Sequence, residues 1–563
     1  MPLRLMAAAA LALTFYAVNA FHYGEMPLRI EEGEWPPMAQ AIVETGKPVI
    51  QGDKTHKVRF TPDLGVDSSA LVGAWHPPLY LYALAATTAV VGRDASNGLR
   101  AVGVIGLLVS ALLLLLIARE ITPRWRLIGG VAAGLLLVHP YAIQGSLFLD
   151  IDNTIYTPLA LLALWLAIRF SRRDGPLALT QILALGAALA LVSWAKMTTT
   201  IVLVGVLAVW WVLARRPFGR AIAETAAFIA VGVALFTATY WLWCTTTGIP
   251  FSYTFDVTFA QKSDRLLADW RLSENAAHWH LRWFGAAVLL MAFAYLVDLV
   301  RNLVVTRRPR ELDLLFLFGV GVLVTYVLAS PTDGTYQGKY AFPALAALLL
   351  PIVWMLLRGE RATRIGVARC LAAGAAGLIA VMVTPDLLTN LSVNGIYGKW
   401  SVDLFVATVA AAALAAAWLL GGRSGFAGGI VIVLVILFVG QSLRSYQSDH
   451  SPLYPVSDTS DFRAGVGDLN ASAGPRDIVI APKDLGFYVD GPVIEGEDAF
   501  ARGDALLAEA MRSEPRIVAF ARDSFGPPIG PETAAIMDRC FLDRRAFGSV
   551  SLAYRSHSCE VSP

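Results

Sequence analysis

The sequence predicts a polytopic α-helical membrane protein with a small extracytoplasmic α/β domain at its C-terminus. Three features predict this. Of 563 residues, 56% are hydrophobic and 16% are charged, whereas a soluble chain carries about 25% charged residues; mean hydropathy is +0.58. The apolar residues gather into runs long enough to cross a bilayer, and arginines collect on alternate connections between them. Beyond residue 442 the chain turns polar, and strand-like runs alternate with a helical one.

Spanning runs lie near 4–21, 99–118, 126–146, 154–170, 178–195, 198–214, 221–243, 284–303, 313–330, 341–357, 366–384, 402–420 and 427–442. They make about thirteen transmembrane helices. The first run ends in Val18-Asn19-Ala20, which has the form of a signal-peptide cleavage site. We read it as an uncleaved helix, because the polar stretch that follows needs an anchor at the membrane. Residues 77–92 are short, aromatic and opened by Pro77-Pro78. They read as an interfacial or re-entrant helix rather than a span.

The positive-inside rule fixes the orientation. With Arg4 inside, the inner connections carry Arg119, Arg124 and Arg126; Arg169, Arg172 and Arg173; Arg215, Arg216 and Arg220; Arg301, Arg307, Arg308 and Arg310; Arg358, Arg361, Arg364 and Arg369; and Arg423. The short outer connections hold far fewer. A span at 77–92 would invert every later loop. The N-terminus is therefore expected inside and the C-terminus outside.

The expected domains are 1–442 in the membrane and 443–563 outside it. The first includes an extracytoplasmic loop, 22–98, with juxtamembrane helices. In the tail, Asp477 to Ile480, Arg516 to Phe520 and Ser549 to Tyr554 read as strands, and Asp504 to Arg512 as a helix. The tail has no nucleotide-binding glycine pattern and no zinc-type cysteine spacing, and no nucleic-acid partner is expected. Cys540 and Cys559 can pair if the tail faces an oxidising compartment.

Polar residues that interrupt the apolar pattern fall on the outer side: the loop 22–76, Asp150-Ile151-Asp152-Asn153, Lys196, the loop 244–283, and Asp333 to Tyr340. The first loop carries Glu31-Glu32, then Glu34-Trp35. A carboxylate beside the membrane can act as a general base or orient a hydroxyl; in a loop it can also be merely solvated. Asp152 stands at a helix start, where it can cap the helix. With Asp150 it forms a DxD pair, although two acids are too few to argue a metal. Lys196 lies between two spans, with Thr198, Thr199 and Thr200 beside it. It can snorkel, pair with Asp152, or clamp a phosphate. Lys339-Tyr340 at an outer helix mouth can add a second cation or serve as an interfacial anchor. His76, ahead of Pro77-Pro78-Leu79-Tyr80, can bind a phosphate or cap its helix. His278 and His280 read as interfacial.

Taken in order, these motifs resemble those of the GT-C superfamily of glycosyltransferases. The branch they resemble is that of bacterial aminoarabinose (lipid A) transferases and the dolichyl-phosphate-mannose-protein mannosyltransferase-like family of protein O-mannosyltransferases. The likeness rests on Glu31-Glu32-Gly33-Glu34-Trp35 through Glu44-Thr45-Gly46, on His76-Pro77-Pro78-Leu79-Tyr80, on Asp152 with Asp150 as its rival, on Lys196, and on Lys339-Tyr340-Ala341-Phe342-Pro343. It covers roughly residues 1–360. Here Glu-Glu stands where the family usually has Asp-Glu, the aromatic is Trp, and His replaces the common Lys before Pro-Pro.

The resemblance implies a GT-C fold and an inverting transferase that takes a sugar from a polyprenyl-phosphate donor. The acceptor would be a lipid, polysaccharide or protein outside a bacterial inner membrane. It implies Glu31 as base or acceptor-orienting acid, with Glu32 beside it, and Asp152 as a second essential acid. Lys196, His76, Lys339 and Tyr340 would line the donor phosphate, and Asp150, Glu34, Trp35 and Tyr80 would contact substrate. No metal ligand set is assigned, although a divalent cation at Asp150 and Asp152 remains an option. The rival from another class is a transporter or flippase for a lipid-linked or small-molecule substrate, which would place its polar groups at the midplane and show inverted repeats. A third is an assembly protein presenting the tail, tolerant of change at Glu31 and Asp152.

Overall fold

The structure is a computed structural model. It describes residues 2–24, 28, 32, 35–51, 57–58, 70–72, 76–92, 96–173, 175–215, 217–255, 274–329, 338–358, 459–474, 477–481, 485, 488–489, 493–495, 516–521, 530–548 and 550–556. In chain order the elements are α1 (Pro2–Gly24), α2 (Trp35–Thr45), β1 (Val49–Gln51), β2 (Lys57–Val58), β3 (Ala70–Val72) and α3 (Leu79–Val91). Apolar helices follow: α4 (Ala101–Ile121), α5 (Trp125–Val138), α6 (Pro140–Leu147), α7 (Asp152–Ser171), α8 (Leu179–Ala195), α9 (Met197–Ala214), α10 (Phe218–Thr247), α11 (Glu274–Thr306), α12 (Glu311–Ala329) and α13 (Phe342–Leu357). The tail holds α14 (Thr459–Ser472), β4 (Val479–Ala481), β5 (Val493–Glu495), β6 (Ile517–Ala521), α15 (Pro531–Cys540), β7 (Asp543–Phe547) and β8 (Val550–Tyr554).

Ten of the expected spans, from 4–21 to 341–357, each meet helix in the structure. The other three, 366–384, 402–420 and 427–442, lie outside the described residues. Among the described residues, four helices are long and apolar enough to cross a membrane: α4, α7, α9 and α10. The pair α5 and α6 makes a fifth if it counts as one span. Shorter apolar helices are Met6–Phe21, α3, α8 and α13.

One span departs from its expected form. The run 126–146 is not straight but bends by 65° between α5 and α6. The cause is local. Pro140 has no amide hydrogen, and its ring clashes with a continuing helix. It also pushes the preceding residue out of helical space, so His139 is extended at φ −72°, ψ 124°.

Contacts divide the chain into two compact units. The helical unit comprises Met1–Ala20, Gly103–Ser146 and Ile151–Tyr446; the second comprises Phe21–Val102, Leu147–Asp150 and Gln447–Pro563. In the helical unit α8 packs on α10, α12 on α13 and α9 on α12. α13 is buried on nearly every face, consistent with its almost wholly apolar sequence. Two ion-pair networks brace helix ends in this unit. Asp298 on α11 accepts from Arg310 and Arg358, and Arg310 also reaches Asp313 at the start of α12. Arg215 after α9 meets Glu224 on α10 and donates to the backbone carbonyls of Ser171, Arg173 and Gly175 past the end of α7.

The second unit joins the first polar loop to the tail, although the sequence placed them in separate domains. Its six-stranded sheet has the order β2-β5-β4-β6-β8-β7. β2, β5, β4 and β6 run parallel, while β8 and β7 are antiparallel additions. β2 thus comes from the first loop and pairs Lys57 with Val493. The Leu28 amide also donates to the Tyr488 hydroxyl at 2.7 Å. Phe462 and Leu469 on α14 pack with Val479, Ile517, Val550 and Leu552 to form the core. Cys540 is disulfide-bonded; Cys559, which the sequence offers as one possible partner, and the helical run 504–512 lie outside the described residues.

Candidate functional site

In the helical unit the site grows from two interruptions of helix. α7 opens not with a regular turn but with a π-helical one, Asp152–Tyr156. Such wide turns store irregular geometry and often mark functional positions. The second interruption is Lys196, a single extended residue at φ −159°, ψ 111° that ends α8 and starts α9. Its carbonyl accepts from the Thr200 hydroxyl at 2.6 Å.

These two breaks meet. The Lys196 ammonium is ion-paired with the Asp152 carboxylate, and the two side chains are 1% and 0% exposed. The residue preceding α7, Ile151, makes no side-chain cap. Asp152 is the first residue of α7, and its carboxylate is the buried partner of Lys196. Asn153 donates its side-chain amide to the Gly145 carbonyl on α6. Two tyrosines cover the cation. Lys196 Nζ lies 4.4 Å from the Tyr340 ring centre and 5.6 Å from that of Tyr326. The rings stack on each other, 4.7 Å apart and parallel to within 2°. Tyr326 is fixed in turn by Thr199, with hydroxyls 2.6 Å apart. The carboxylate and the two ring faces all attract the buried ammonium.

Lys339 lies on the short 3-10 turn Gly338–Ala341 beside Tyr340. His278 and His280 fall in the first turns of α11. Glu31 and Glu34 lie outside the described residues. Among the described residues, no three His, Cys, Asp or Glu side chains gather as a metal site.

The second unit holds the remaining candidates. Glu32 is 3% exposed. One of its oxygens accepts from the Leu149 amide at 2.9 Å, and its carboxylate pairs with Arg100 at 3.4 Å. Trp35 meets Tyr80 edge to face at 5.3 Å, which packs α2 on α3. His76 is half-buried just before Pro77 and Pro78, and Asp150 is buried.

Sequence reasoning missed Arg100 and Tyr326, the partner of the Thr199 hydroxyl. Arg100 carried a signal: in the orientation expected from the sequence it is a cation at the outward mouth of a span, where the positive-inside pattern wants none. Replacing Arg100 by Gln leaves the buried Glu32 carboxylate without its cation and is expected to cost about 3–5 kcal/mol, read as a lower unfolding midpoint in thermal denaturation.

The family model for dolichyl-phosphate-mannose-protein mannosyltransferases matches residues 75–243, a stretch that contains His76, Tyr80, Asp152 and Lys196. The chain is similar in structure to ArnT from Cupriavidus metallidurans bound to undecaprenyl phosphate, with TM-score 0.60 and 14% identity over 98% of each chain. It also aligns with the arabinofuranosyltransferase AftD from Mycobacteria at TM-score 0.46 and 12% identity, covering 99% of this chain and 40% of that one. No curated protein sequence matches it. The family-model match spans less than a third of the chain, and the likeness to ArnT is one of fold.

Proposed function

We propose that the protein transfers a sugar from a polyprenyl-phosphate donor to a hydroxyl acceptor on the outer face of a membrane, with inversion at the anomeric carbon. The observation that carries this reading is the buried Asp152–Lys196 pair under Tyr326 and Tyr340, set where two apolar helices break. A fixed charge pair of this kind, in a chain of this fold, marks chemistry rather than packing. ArnT supports the donor class, since its structure holds undecaprenyl phosphate.

In the proposed reaction the acceptor oxygen attacks the anomeric carbon as the carbon–oxygen bond to phosphate breaks. Polyprenyl phosphate leaves with the bonding electrons, and the acceptor proton passes to a carboxylate. The leaving phosphate is already a stabilised anion, so it needs nearby cations rather than an acid; His76 and Lys339 are assigned that role. Lys196 holds Asp152 in the structure, so any contact it makes with the phosphate is shared with that carboxylate. Glu31 is assigned as the base. Glu32 suits the task less, because its buried carboxylate is already engaged by Arg100 and the Leu149 amide. Its anchor instead fixes the backbone next to Glu31. The acceptor is a lipid, glycan or protein, and the Cys540 disulfide fits an oxidising, extracytoplasmic compartment for the tail.

The test is release of free polyprenyl phosphate by the purified protein, given polyprenyl-phosphate sugars and a membrane extract. Wild type is expected to release it, and Glu31→Gln and Asp152→Asn to lose at least a hundredfold. Variants that match wild type, or a wild type that consumes no donor, would overturn the assignment and favour a transporter.

A further inference from the structure

We infer that His139 is a positioning residue for the Asp152 turn, locking the bend of the α5–α6 span so that the first residues of α7 are presented in one place. The inference rests on the reading of Asp152 as an essential acid. His139 is 1% exposed and sits at the 65° break. A break inside an apolar unit leaves backbone groups without helical partners. His139 deals with one of them, the Tyr141 amide, and ties the other side of its ring to α11. Its Nδ1 accepts from the Tyr141 amide at 3.2 Å, the N-cap bond of α6. Its Nε2 lies 3.3 Å from the Phe284 carbonyl on α11, a distance at which it donates. An acceptor at Nδ1 and a donor at Nε2 describe one neutral tautomer.

The lock is connected to Asp152 by packed side chains. Tyr141, held by the cap, packs against both Phe284 and Phe342, each with ring centres 5.6 Å away. Phe342 lies against Gly145 so closely that a Cβ there would come within 2.4 Å of its ring. The Gly145 carbonyl holds the Asn153 side chain, and Asn153 follows Asp152. Four consecutive contacts therefore run from the imidazole to the turn that bears the proposed acid.

Two readouts test this on the full-length protein in nanodiscs. The first is hydrogen exchange of peptides spanning 140–156, with 197–214 as the internal reference. The second is kcat against donor KM for polyprenyl phosphate release. His139→Ala is expected to speed exchange in 140–156 with 197–214 unchanged. It should lower kcat at least thirtyfold with KM within threefold. His139→Asn keeps an acceptor for the Tyr141 amide and should recover part of both. Unchanged exchange in 140–156 would overturn the inference. So would faster exchange in both segments, which marks a global fold defect, or wild-type kcat in an Ala variant that is locally loosened. If wild type releases no polyprenyl phosphate, the proposed function fails instead, and the exchange data alone decide the role of His139.

Discussion

Lys196→Met is expected to abolish transfer and to lower thermal stability together. The substitution fills much of the same space but leaves the Asp152 carboxylate buried beside two tyrosines with its cation gone. Removing one partner of a buried pair costs about 3–5 kcal/mol, and in a helical unit of this kind that lowers the unfolding midpoint by many degrees. The double variant Asp152→Leu/Lys196→Met separates the two effects. With neither charge left to desolvate, most of the stability should return, while transfer stays at background because the acid is absent. Asp152→Asn leaves the buried Lys196 ammonium without its carboxylate and should lose both midpoint and turnover. Intrinsic fluorescence on heating gives the midpoint, and release of polyprenyl phosphate gives the activity. A Lys196→Met variant that melts early yet transfers at the wild-type rate would reduce the pair to a structural staple.

How much of this was legible in the sequence follows from which signals are local. The spans were readable because bilayer thickness imposes one length on apolar runs, and ten of them meet helix in the structure. Asp152 and Lys196 were readable for the same reason, as charges that interrupt apolar pattern. Their mutual pairing was only one of several options, because they are 44 residues apart and only packing brings α7 to α8. The bend at His139 was present in the sequence as Pro140 but was read as a continuous span; hydropathy is blind to a missing amide hydrogen. Tyr326 was invisible, since one tyrosine in an apolar helix looks like core until Lys196 and Tyr340 arrive beside it. The sheet was only partly legible. β4, β6 and β8 follow local pattern, β5 and β7 were not read as strands, and β2 is supplied by the first loop and adds to β5 through a contact no window of sequence contains.

The second large effect is expected from two methyl groups. Gly103 and Gly106 lie on successive turns of α4. A Cβ at Gly103 would stand 1.8 Å from the Ser146 carbonyl oxygen, and one at Gly106 would stand 2.0 Å from that of Thr154. Both neighbours are backbone, which cannot swing aside as a side chain does. Small residues of this kind let helix backbones approach directly. Here the approach is to the end of α6 and to the π-helical turn that carries Asp152. Gly106→Ala must therefore push α4 off that turn, at a cost of about 1–3 kcal/mol for overpacking. Because the displaced segment bears the proposed acid, transfer should fall further than stability does. Gly205→Ala is the control. Nothing lies within 4 Å of its Cβ, so the helix should gain roughly 0.5–1 kcal/mol from the lost flexibility of the unfolded chain and keep full activity. Matched losses of activity at Gly106 and Gly205 would mean that any added methyl disturbs the enzyme. Loss at Gly106 with gain or neutrality at Gly205 locates the sensitivity at the contact between α4 and the Asp152 turn.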